Sequence, residues 1–365
     1  MSSLLKDLYS PAFVDRFASI MEKTNPQFKP ARFKKNVFHN DWHQMELKQR
    51  MKHIAGVLHQ FLPPQYPDAL NVIRYTIDEL KANDFTAALE FMFFPHYIET
   101  YGLKHFDESV GAFEKITSFT SCEFAVRPFL LNYGARMIEI MTQWSTNQDH
   151  HVRRLASEGI RPRLPWAIAL PFLKKDPTPL LPILENLKND PSEYVRRSVA
   201  NNLNDISRDH PQIVIDLARK WKGSNKTTDA IVRHGTRTLL KQGNRETLQL
   251  FGLNGSSVEL REFSLAENNV SNGGDLRFSV SFRNTGRKAK VIRLEYAVYF
   301  LRQKGRISKK VFKISERSYA PGEETTINRK QSFRPITTRR YYSGQHQVSV
   351  IINGKEYDRL PFHLE

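Results

Sequence analysis

DHHVRRLASEG at residues 149–159 and PSEYVRRSVANNL at residues 191–203 are two versions of one pattern. Their Val-Arg-Arg triplets lie 43 positions apart, and TTDAIVRHGTRTLLK at residues 227–241 repeats the Val-Arg pair 37 positions further along the chain. A period near 40 residues with two helices per unit is typical of HEAT repeats, in which each unit buries its apolar face against the next. The repeat predicts an all-α solenoid in which the valines point into the stack and the arginines lie early in the second helix.

Helical periodicity extends beyond the repeats and covers residues 1–252. Apolar residues recur at three- and four-residue spacing in four further segments, namely 44–62, 67–81, 109–118 and 123–145. Proline-containing runs separate the helices, as at residues 63–67 and 176–182. The sequence therefore predicts one helical domain that ends near residue 252.

From residue 258 to residue 365 the pattern alternates between apolar and polar residues. One face of the first clear strand carries Leu276, Phe278, Val280 and Phe282. Further strands are predicted at 297–305, 310–316, 325–333 and 346–357. With turn signals such as Gly273-Gly274 between them, roughly seven short strands predict an immunoglobulin-like β-sandwich. The predicted fold is multidomain, an all-α HEAT-like repeat solenoid followed by an all-β sandwich.

Several classes of site are not indicated by the sequence. The chain has one cysteine, Cys122, so it can form neither an internal disulfide nor a zinc site built from cysteines alone. It contains no histidine-based zinc motif and no glycine-rich nucleotide-binding motif, and no metal or cofactor is expected. No run approaches the roughly 20 apolar residues that cross a bilayer. We expect a soluble cytoplasmic protein, by default a monomer, that does not bind membranes.

The strongest signal in the composition is positive charge. Fifty-five Lys and Arg oppose 38 Asp and Glu, a net charge of +17, and residues 258–365 alone carry 21 against 11. Such an excess favours a polyanionic partner, nucleic acid before anionic membrane, although a solvated basic surface would show the same balance. Candidate phosphate contacts in the sandwich are the basic clusters at 287–290, 309–310 and 339–342. A basic solenoid beside a basic sandwich could hold a DNA duplex from two sides.

Three carboxylates are candidates for chemistry, although each taken singly has a structural explanation. Glu123 would open a helix, Asp205 would close one, and Glu158 would end a repeat helix, where the helix dipole disfavours a negative charge. A ring-alkylated base is cationic, and so is the deoxyribose as its glycosidic bond breaks. Fixed carboxylates stabilise such a sugar cation and can orient water, and Trp166 could contact the damaged nucleotide or pack in the core.

ASEGIRPRLPWA at 156–167, EFAVRPF at 123–129 and VRRSVANNLND at 195–205 together resemble the AlkC branch of the HEAT-like-repeat DNA glycosylases, which are bacterial alkylation-repair enzymes. The resemblance covers the helical region, and the immunoglobulin-like tail matches the longer members. It implies removal of cationic N3-alkylated bases, chiefly 3-methyladenine, from duplex DNA without base flipping, leaving an abasic site.

The resemblance also implies roles for particular residues. Glu123, Glu158 and Asp205 would face the sugar of the lesion, Glu158 would position water, and Trp166 would contact the lesion nucleotide. The DNA backbone would be held by Arg154, Arg161, Arg163, Arg197, Asn201, Asn202, Arg233, His234, Gly235, Thr236 and Arg237. The sandwich would meet the minor-groove side. Two alternatives remain open, a non-catalytic DNA-binding scaffold and a HEAT-repeat adaptor that binds protein.

Overall fold

The computed structural model describes residues 4–39, 41–85, 89–253, 257–335 and 340–365. By internal contacts the chain divides into two compact units. The first contains residues 1–210 and 221–235, and the second contains residues 211–220 and 236–365. Within the described ranges, no helix is both long enough and apolar enough to span a bilayer.

The N-terminal two thirds of the described chain are helical. The α-helices are α1 (Pro11–Thr24), α2 (Pro30–Val37), α3 (Leu47–His59), α4 (Tyr66–Ala82), α5 (Phe93–Tyr101), α6 (Phe106–Ile116), α7 (Val126–Tyr133), α8 (Ala135–Trp144), α9 (His150–Glu158), α10 (Pro171–Lys175), α11 (Leu181–Leu187), α12 (Glu193–Ile206), α13 (Pro211–Trp221), α14 (Lys226–Gly235), α15 (Arg237–Lys241) and α16 (Arg245–Leu250). Short 3-10 helices occupy Leu5–Leu8, Trp42–Gln44, Leu89–Met92, Thr178–Leu180 and Gln303–Gly305.

The three repeats appear as predicted, with α9, α12 and α14 as their second helices. The repeat valines Val152, Val195 and Val232 are fully buried, and α12 contacts both α9 and α14. Between α9 and α12, the hydroxyls of Ser157 and Ser198 lie 2.9 Å apart. The valines therefore do point into the stack, which confirms the HEAT-like reading of this region.

The first arginine of each Val-Arg-Arg triplet has a structural role that the sequence did not reveal. Arg153 Nη1 donates to the backbone carbonyls five and six residues before it, at 2.8 and 2.9 Å. Arg196 Nη1 makes the equivalent pair of bonds, both of 2.7 Å. Arg153 also pairs with buried Asp190 in the next repeat. These arginines hold the turn that precedes each second helix, so they are separate from the arginines that follow them.

The segment predicted as one helix over 123–145 is two helices. Gly134, with φ of 44° and ψ of −113°, breaks it between α7 and α8. The helix also begins at Val126 rather than at Glu123. Proline is tolerated only in a first turn, because it lacks an N–H, and Pro128 therefore sets the start of α7 close before it. Glu123 is left in the turn before the helix.

Gly235, at the end of α14, lies where a side chain would collide with α12. A Cβ there would lie 2.9 Å from Leu203 Cβ and 3.0 Å from Leu203 Cδ1. Gly235→Ala should therefore lower the free energy of unfolding by about 1–3 kcal/mol. The matched control is Gly111→Ala in α6, where nothing lies within 4 Å and we expect about 0.5–1 kcal/mol of stabilisation. Urea unfolding measures both, and equal effects would contradict the packing role of Gly235.

The second unit is built around a β-sandwich. Its strands are β1 (Val258–Leu265), β2 (Asn269–Val270), β3 (Asp275–Asn284), β4 (Lys290–Leu301), β5 (Ile307–Tyr319), β6 (Glu324–Ser332), β7 (Gly344–Ile352) and β8 (Lys355–Leu364). One sheet has the order β1-β3-β6 and the other the order β2-β8-β7-β4-β5. Pairing is antiparallel throughout except between β2 and β8. This arrangement confirms the immunoglobulin-like class.

The alternation in β3 is as predicted, and the differences lie at strand ends. The four predicted inward residues of β3 are buried and join the core between the sheets. The segment 346–357 contains the hairpin turn between β7 and β8, at the turn signal 353–355, where Asn353 and Gly354 both have positive φ. Strand β4 starts seven residues earlier than predicted, and this missed part contains Arg293 and Glu295, two charged residues that are buried as an ion pair.

Candidate active site

Helix α9 ends against α7, and this contact brings two of the predicted carboxylates together. Gly159 follows α9, and a Cβ there would lie 2.7 Å from Val126 Cγ2, so only glycine allows the approach. Glu158 is the last residue of α9, and Glu123 lies in the turn just before α7. Asp205 is the penultimate residue of α12, which packs beside α9.

Acidic and basic side chains alternate in a row across this junction. Arg161 lies between two carboxylates, with Nε 2.9 Å from Asp205 Oδ2 and Nη1 2.7 Å from Glu158 Oε1. Arg154 continues the row, because its Nη2 is 3.6 Å from Glu158 Oε1 and its Nη1 donates to Glu123. The row of Asp205, Arg161, Glu158, Arg154 and Glu123 is here called the charge row. All three predicted carboxylates belong to it.

The charge row borders a cavity of about 520 Å³, here called the acidic cavity. Glu123, Glu158 and Arg161 line it directly, whereas Asp205 is not among its lining residues and reaches the row through Arg161. The remaining wall is aromatic, aliphatic or hydroxylic, with Leu89, Met92, Thr117, Ser118, Phe119, Thr120, Ser121, Phe124, His151, Leu164, Pro165, Trp166 and Tyr194. Two carboxylates therefore open onto a space lined mainly by aromatic, aliphatic and hydroxyl-bearing side chains.

Trp166 lies on the wall of the acidic cavity in an unusual backbone conformation. Its φ is 66°, a left-handed value that costs a non-glycine residue of the order of 1–3 kcal/mol. Its side chain is 64% exposed, whereas the chain's other three tryptophans are buried. The core role that the sequence left open is therefore excluded, and the indole is available to a ligand.

Arg127 holds the loop that carries Arg161 and Trp166, and sequence reasoning missed it. Its side chain is completely buried, with Nε 2.6 Å from the Ile168 carbonyl and Nη1 2.9 Å from the carbonyls of Gly159 and Arg161. Burial, and then the charge of Arg161, lower the pKa of Arg127 to about 10. One signal was present, because a buried arginine within an apolar helix face must have polar partners.

Tyr194 is the second residue that sequence reasoning missed. Its ring lies 4.5 Å from the Arg154 guanidinium carbon, a cation–π contact, and it lines the acidic cavity. The repeat gives a signal, because Tyr194 precedes its repeat valine as His151 precedes Val152. His151 lines the same cavity, and burial lowers its pKa. Equivalent repeat positions thus supply two rings of the wall.

The environment keeps the arginines of the charge row ionised. Burial opposes their charge, but Glu123 and Glu158 together raise the pKa of Arg154 above its ordinary value. The pKa of Arg161 is raised in the same way by Asp205 and Glu158 against burial. Burial raises the pKa of Asp205, and its bond from Arg161 offsets this only in part.

Asp205 should make stability depend on pH. Because its folded-state pKa lies above the ordinary value of 3.8, the folded protein binds this proton more tightly than the unfolded chain does. Wild type should therefore gain stability relative to Asp205→Asn as the pH falls through the folded pKa toward 3.8. Urea unfolding of both proteins across this range measures the difference. Parallel curves for the two proteins would contradict the prediction.

Comparison with known proteins shows which family this chain belongs to. The DNA alkylation repair enzyme family matches residues 103–239, and the C-terminal Ig-like domain of YhaZ matches residues 259–365. The uncharacterized protein YhaZ of Bacillus subtilis (strain 168) is 42% identical over 361 residues, 99% of each chain. The Pseudomonas fluorescens alkylpurine DNA glycosylase AlkC, bound to DNA containing an abasic site analogue, is 35% identical with a TM-score of 0.93, over 100% of both chains. The chain belongs to the AlkC branch of the DNA alkylation-repair family.

In this AlkC-type chain the repair-family match contains the whole charge row and Trp166. The resemblance seen in the sequence is confirmed, and so is the combination of helical repeats with an Ig-like domain. The first 102 residues lie outside the repair-family match. No residue in that region was predicted to have a functional role.

The predicted DNA-backbone contacts occupy two kinds of position in the AlkC-type fold. Arg154 and Arg161 belong to the charge row, Arg163 pairs with Asp209 at 2.7 Å, and Asn202 is buried with Nδ2 2.9 Å from the Ser157 carbonyl. Gly235 and Thr236 are also buried. Of the others, Arg197 and His234 are exposed, whereas Asn201, Arg233 and Arg237 are half-buried, as Arg163 is. Their roles in DNA binding stay predictions, as do those of the sandwich clusters, of which Arg339 lies outside the described residues.

One group among the described residues has side chains close enough to share a metal ion. Ligand atoms of Asp149, His150 and His151 lie within 4.8 Å of one another. Asp149 Oδ1 already accepts the His151 backbone N–H at 2.8 Å as the cap of α9. This contact accounts for the position of Asp149 without an ion.

Proposed function

We propose that this chain is a monofunctional DNA glycosylase that removes cationic alkylated bases, chiefly 3-methyladenine, from duplex DNA. The observation that carries the proposal is the opening of Glu123 and Glu158 onto the acidic cavity beside the exposed indole of Trp166. Two further facts support it. The AlkC structure to which this chain is similar is an alkylpurine DNA glycosylase, and the chain carries a net charge of +17.

The chemistry requires negative charge and an oriented water rather than an acid. As the C1′–N9 bond breaks, its electrons return to the cationic 3-methyladenine, which leaves as a neutral molecule. The deoxyribose becomes an oxocarbenium cation, which carboxylates of the charge row stabilise. A water held by Glu158 adds to C1′, and its proton passes through Glu158 to solvent. The products are the free base, an abasic site and one proton.

The charge row fits this role, because its arginines pair with the carboxylates while Glu123 and Glu158 still line the cavity. Arg161 Nη1 donates to Oε1 of Glu158 at 2.7 Å, and Arg154 Nη2 approaches the same oxygen at 3.6 Å. Glu158 Oε2 is the oxygen that we assign to the water. We also propose that the carboxylates meet the sugar edge while the base stays stacked, with Trp166 against the lesion nucleotide and Arg197, Asn201, Arg233, His234 and Arg237 along the flanking phosphates.

Release of base from methylated duplex DNA tests this function. The purified full chain should release free 3-methyladenine over time, measured by chromatography, and should leave alkali-labile abasic sites without cutting the strand. 7-Methylguanine, released in parallel or not, measures the lesion range. If the protein binds methylated duplex but releases no base, it is the non-catalytic scaffold.

Salt dependence tests the adaptor alternative. A protein that neutralises six phosphates should lose about 10³-fold in duplex affinity between about 50 and 200 mM salt. Fluorescence anisotropy of a labelled duplex measures this slope. An affinity that does not change with salt would favour a protein-binding adaptor.

A further inference from the structure

Lys48, which lies outside the residues that match the repair family, contacts both the loop of Trp166 and the turn of Glu123. Lys48 lies in the first turn of α3, and its ammonium donates a hydrogen bond to the backbone carbonyl of Trp166. The same ammonium lies 4.9 Å from the centre of the Phe124 ring. Phe124 follows Glu123 directly, and both line the acidic cavity. One side chain thus joins the loop of Trp166 to the turn of Glu123.

The backbone of Trp166 needs such an anchor, because its own side chain does not supply one. The indole is 64% exposed, so little packing holds the residue in its left-handed conformation. Next to it, Ala167 N bonds the Leu164 carbonyl at a long 3.3 Å, and Arg127 holds the Ile168 carbonyl two positions on. The carbonyl of Trp166 itself is held by Lys48.

The space on the other side of Trp166 is also bounded by this part of the chain. A second cavity of about 610 Å³ is lined by Leu4, Leu5, Lys6, Glu46, Leu47, Lys48 and Trp166. Trp166 therefore stands between two cavities and could move away from the acidic one if its backbone were released. Lys48 lines this second cavity and donates its hydrogen bond to the Trp166 carbonyl.

We propose that Lys48 is a positioning residue. It holds the Trp166 indole on the wall of the acidic cavity, in a fixed position relative to the turn of Glu123. The N-terminal helices, which the repair-family match does not include, are then part of the catalytic apparatus. Only the rate measurements that test this inference rest on the proposed glycosylase function. The orientation of Trp166 can be tested without any reaction.

Three substitutions test the role of Lys48. Lys48→Met removes the donor and the charge, Lys48→Arg retains both, and Lys52→Met removes an exposed charge from the same helix as the matched control. We expect Lys48→Met to slow single-turnover release of 3-methyladenine by about 10- to 100-fold, since a displacement of about 1 Å at a reacting centre has effects of this size. Lys48→Arg should recover most of the rate, and Lys52→Met should stay within about twofold of wild type.

A double-mutant cycle with Trp166→Ala decides whether Lys48 acts through Trp166. If it does, adding Lys48→Met to Trp166→Ala should slow the reaction by no more than about twofold further. If the fold reductions in rate caused by Lys48→Met and Trp166→Ala multiply in the double variant, the proposal is overturned and Lys48 contacts DNA independently.

Fluorescence quenching gives the readout that does not depend on activity. Trp166 is the exposed one of the chain's four tryptophans. The part of the acrylamide quenching that disappears in Trp166→Phe therefore comes from this indole. The quenching constant should rise in Lys48→Met and not in Lys52→Met. An unchanged constant in Lys48→Met overturns the proposal even if wild type releases no base, whereas a rise with an inactive wild type would refute only the glycosylase function.

A chemical role for Lys48 would also overturn the proposal. Burial lowers the pKa of Lys48, which would favour a free amine able to attack the aldehyde of an abasic site. Borohydride reduction would then trap a covalent protein–DNA adduct in wild type but not in Lys48→Met. For a positioning residue we expect no adduct in either protein.

Discussion

Glu158→Gln is expected to slow the release of 3-methyladenine by about 10³-fold and to leave affinity for abasic-site DNA within about threefold of wild type. The substitution keeps the shape of the side chain but removes its charge and its capacity to accept a proton. Glu158 is nearly buried between Arg161 and Arg154, so the field that it contributes at the cavity is poorly screened by solvent.

Single-turnover release from methylated duplex and anisotropy of labelled abasic-site DNA measure the two quantities. Glu139→Gln, at an exposed position on α8, is the matched control and should be indistinguishable from wild type. If Glu158→Gln released base as fast as wild type while binding equally well, the catalytic assignment would be wrong. Loss of binding together with rate would instead make Glu158 a structural residue of the DNA site.

Arg127→Met should lower the free energy of unfolding by about 3–5 kcal/mol and should abolish ordered placement of the loop that carries Arg161 and Trp166. Methionine fills most of the space but cannot donate to the carbonyls of Gly159, Arg161 and Ile168, which Arg127 now satisfies. Those carbonyls lie at both ends of the segment that carries Arg161 and Trp166. Excision should therefore fall even at temperatures where the variant remains folded.

Urea unfolding and single-turnover release test this prediction together. Arg136→Met, at an exposed ion pair with Asp107, is the control and should change stability by less than about 1 kcal/mol. Unchanged stability in Arg127→Met would contradict the anchoring role. Lost stability with full activity in the folded fraction would show that the loop keeps its shape without Arg127.

The regular spacing of apolar residues in the sequence was sufficient to predict the fold class, because buried positions recur at a fixed interval in helices and in strands. The three repeat valines and the alternation in β3 were predicted correctly for this reason. The break at Gly134 was missed, because a glycine inside an apolar pattern marks a possible break without specifying one. The start of β4 was missed, because Arg293 and Glu295 are charged residues whose burial depends on the ion pair between them, which the sequence does not reveal.

The site was predictable only where the residue type itself was unusual for its place. Glu158 at a helix C-terminus was such a case, and the structure shows that two arginines hold it there. The contacts of Arg127 and Lys48 were not predictable, because they join segments 41 and 118 positions apart in the chain. No local pattern records which carbonyl a long side chain will reach.

The alternation of charge in the row of Asp205, Arg161, Glu158, Arg154 and Glu123 has an evolutionary consequence. Deleting one acid does more than remove an attraction, since the guanidinium it leaves behind would repel an incoming cation. Single replacements in this row should therefore impair the site more than paired ones do. Across descendants of this lineage, each carboxylate and its adjoining arginine should be retained or exchanged together.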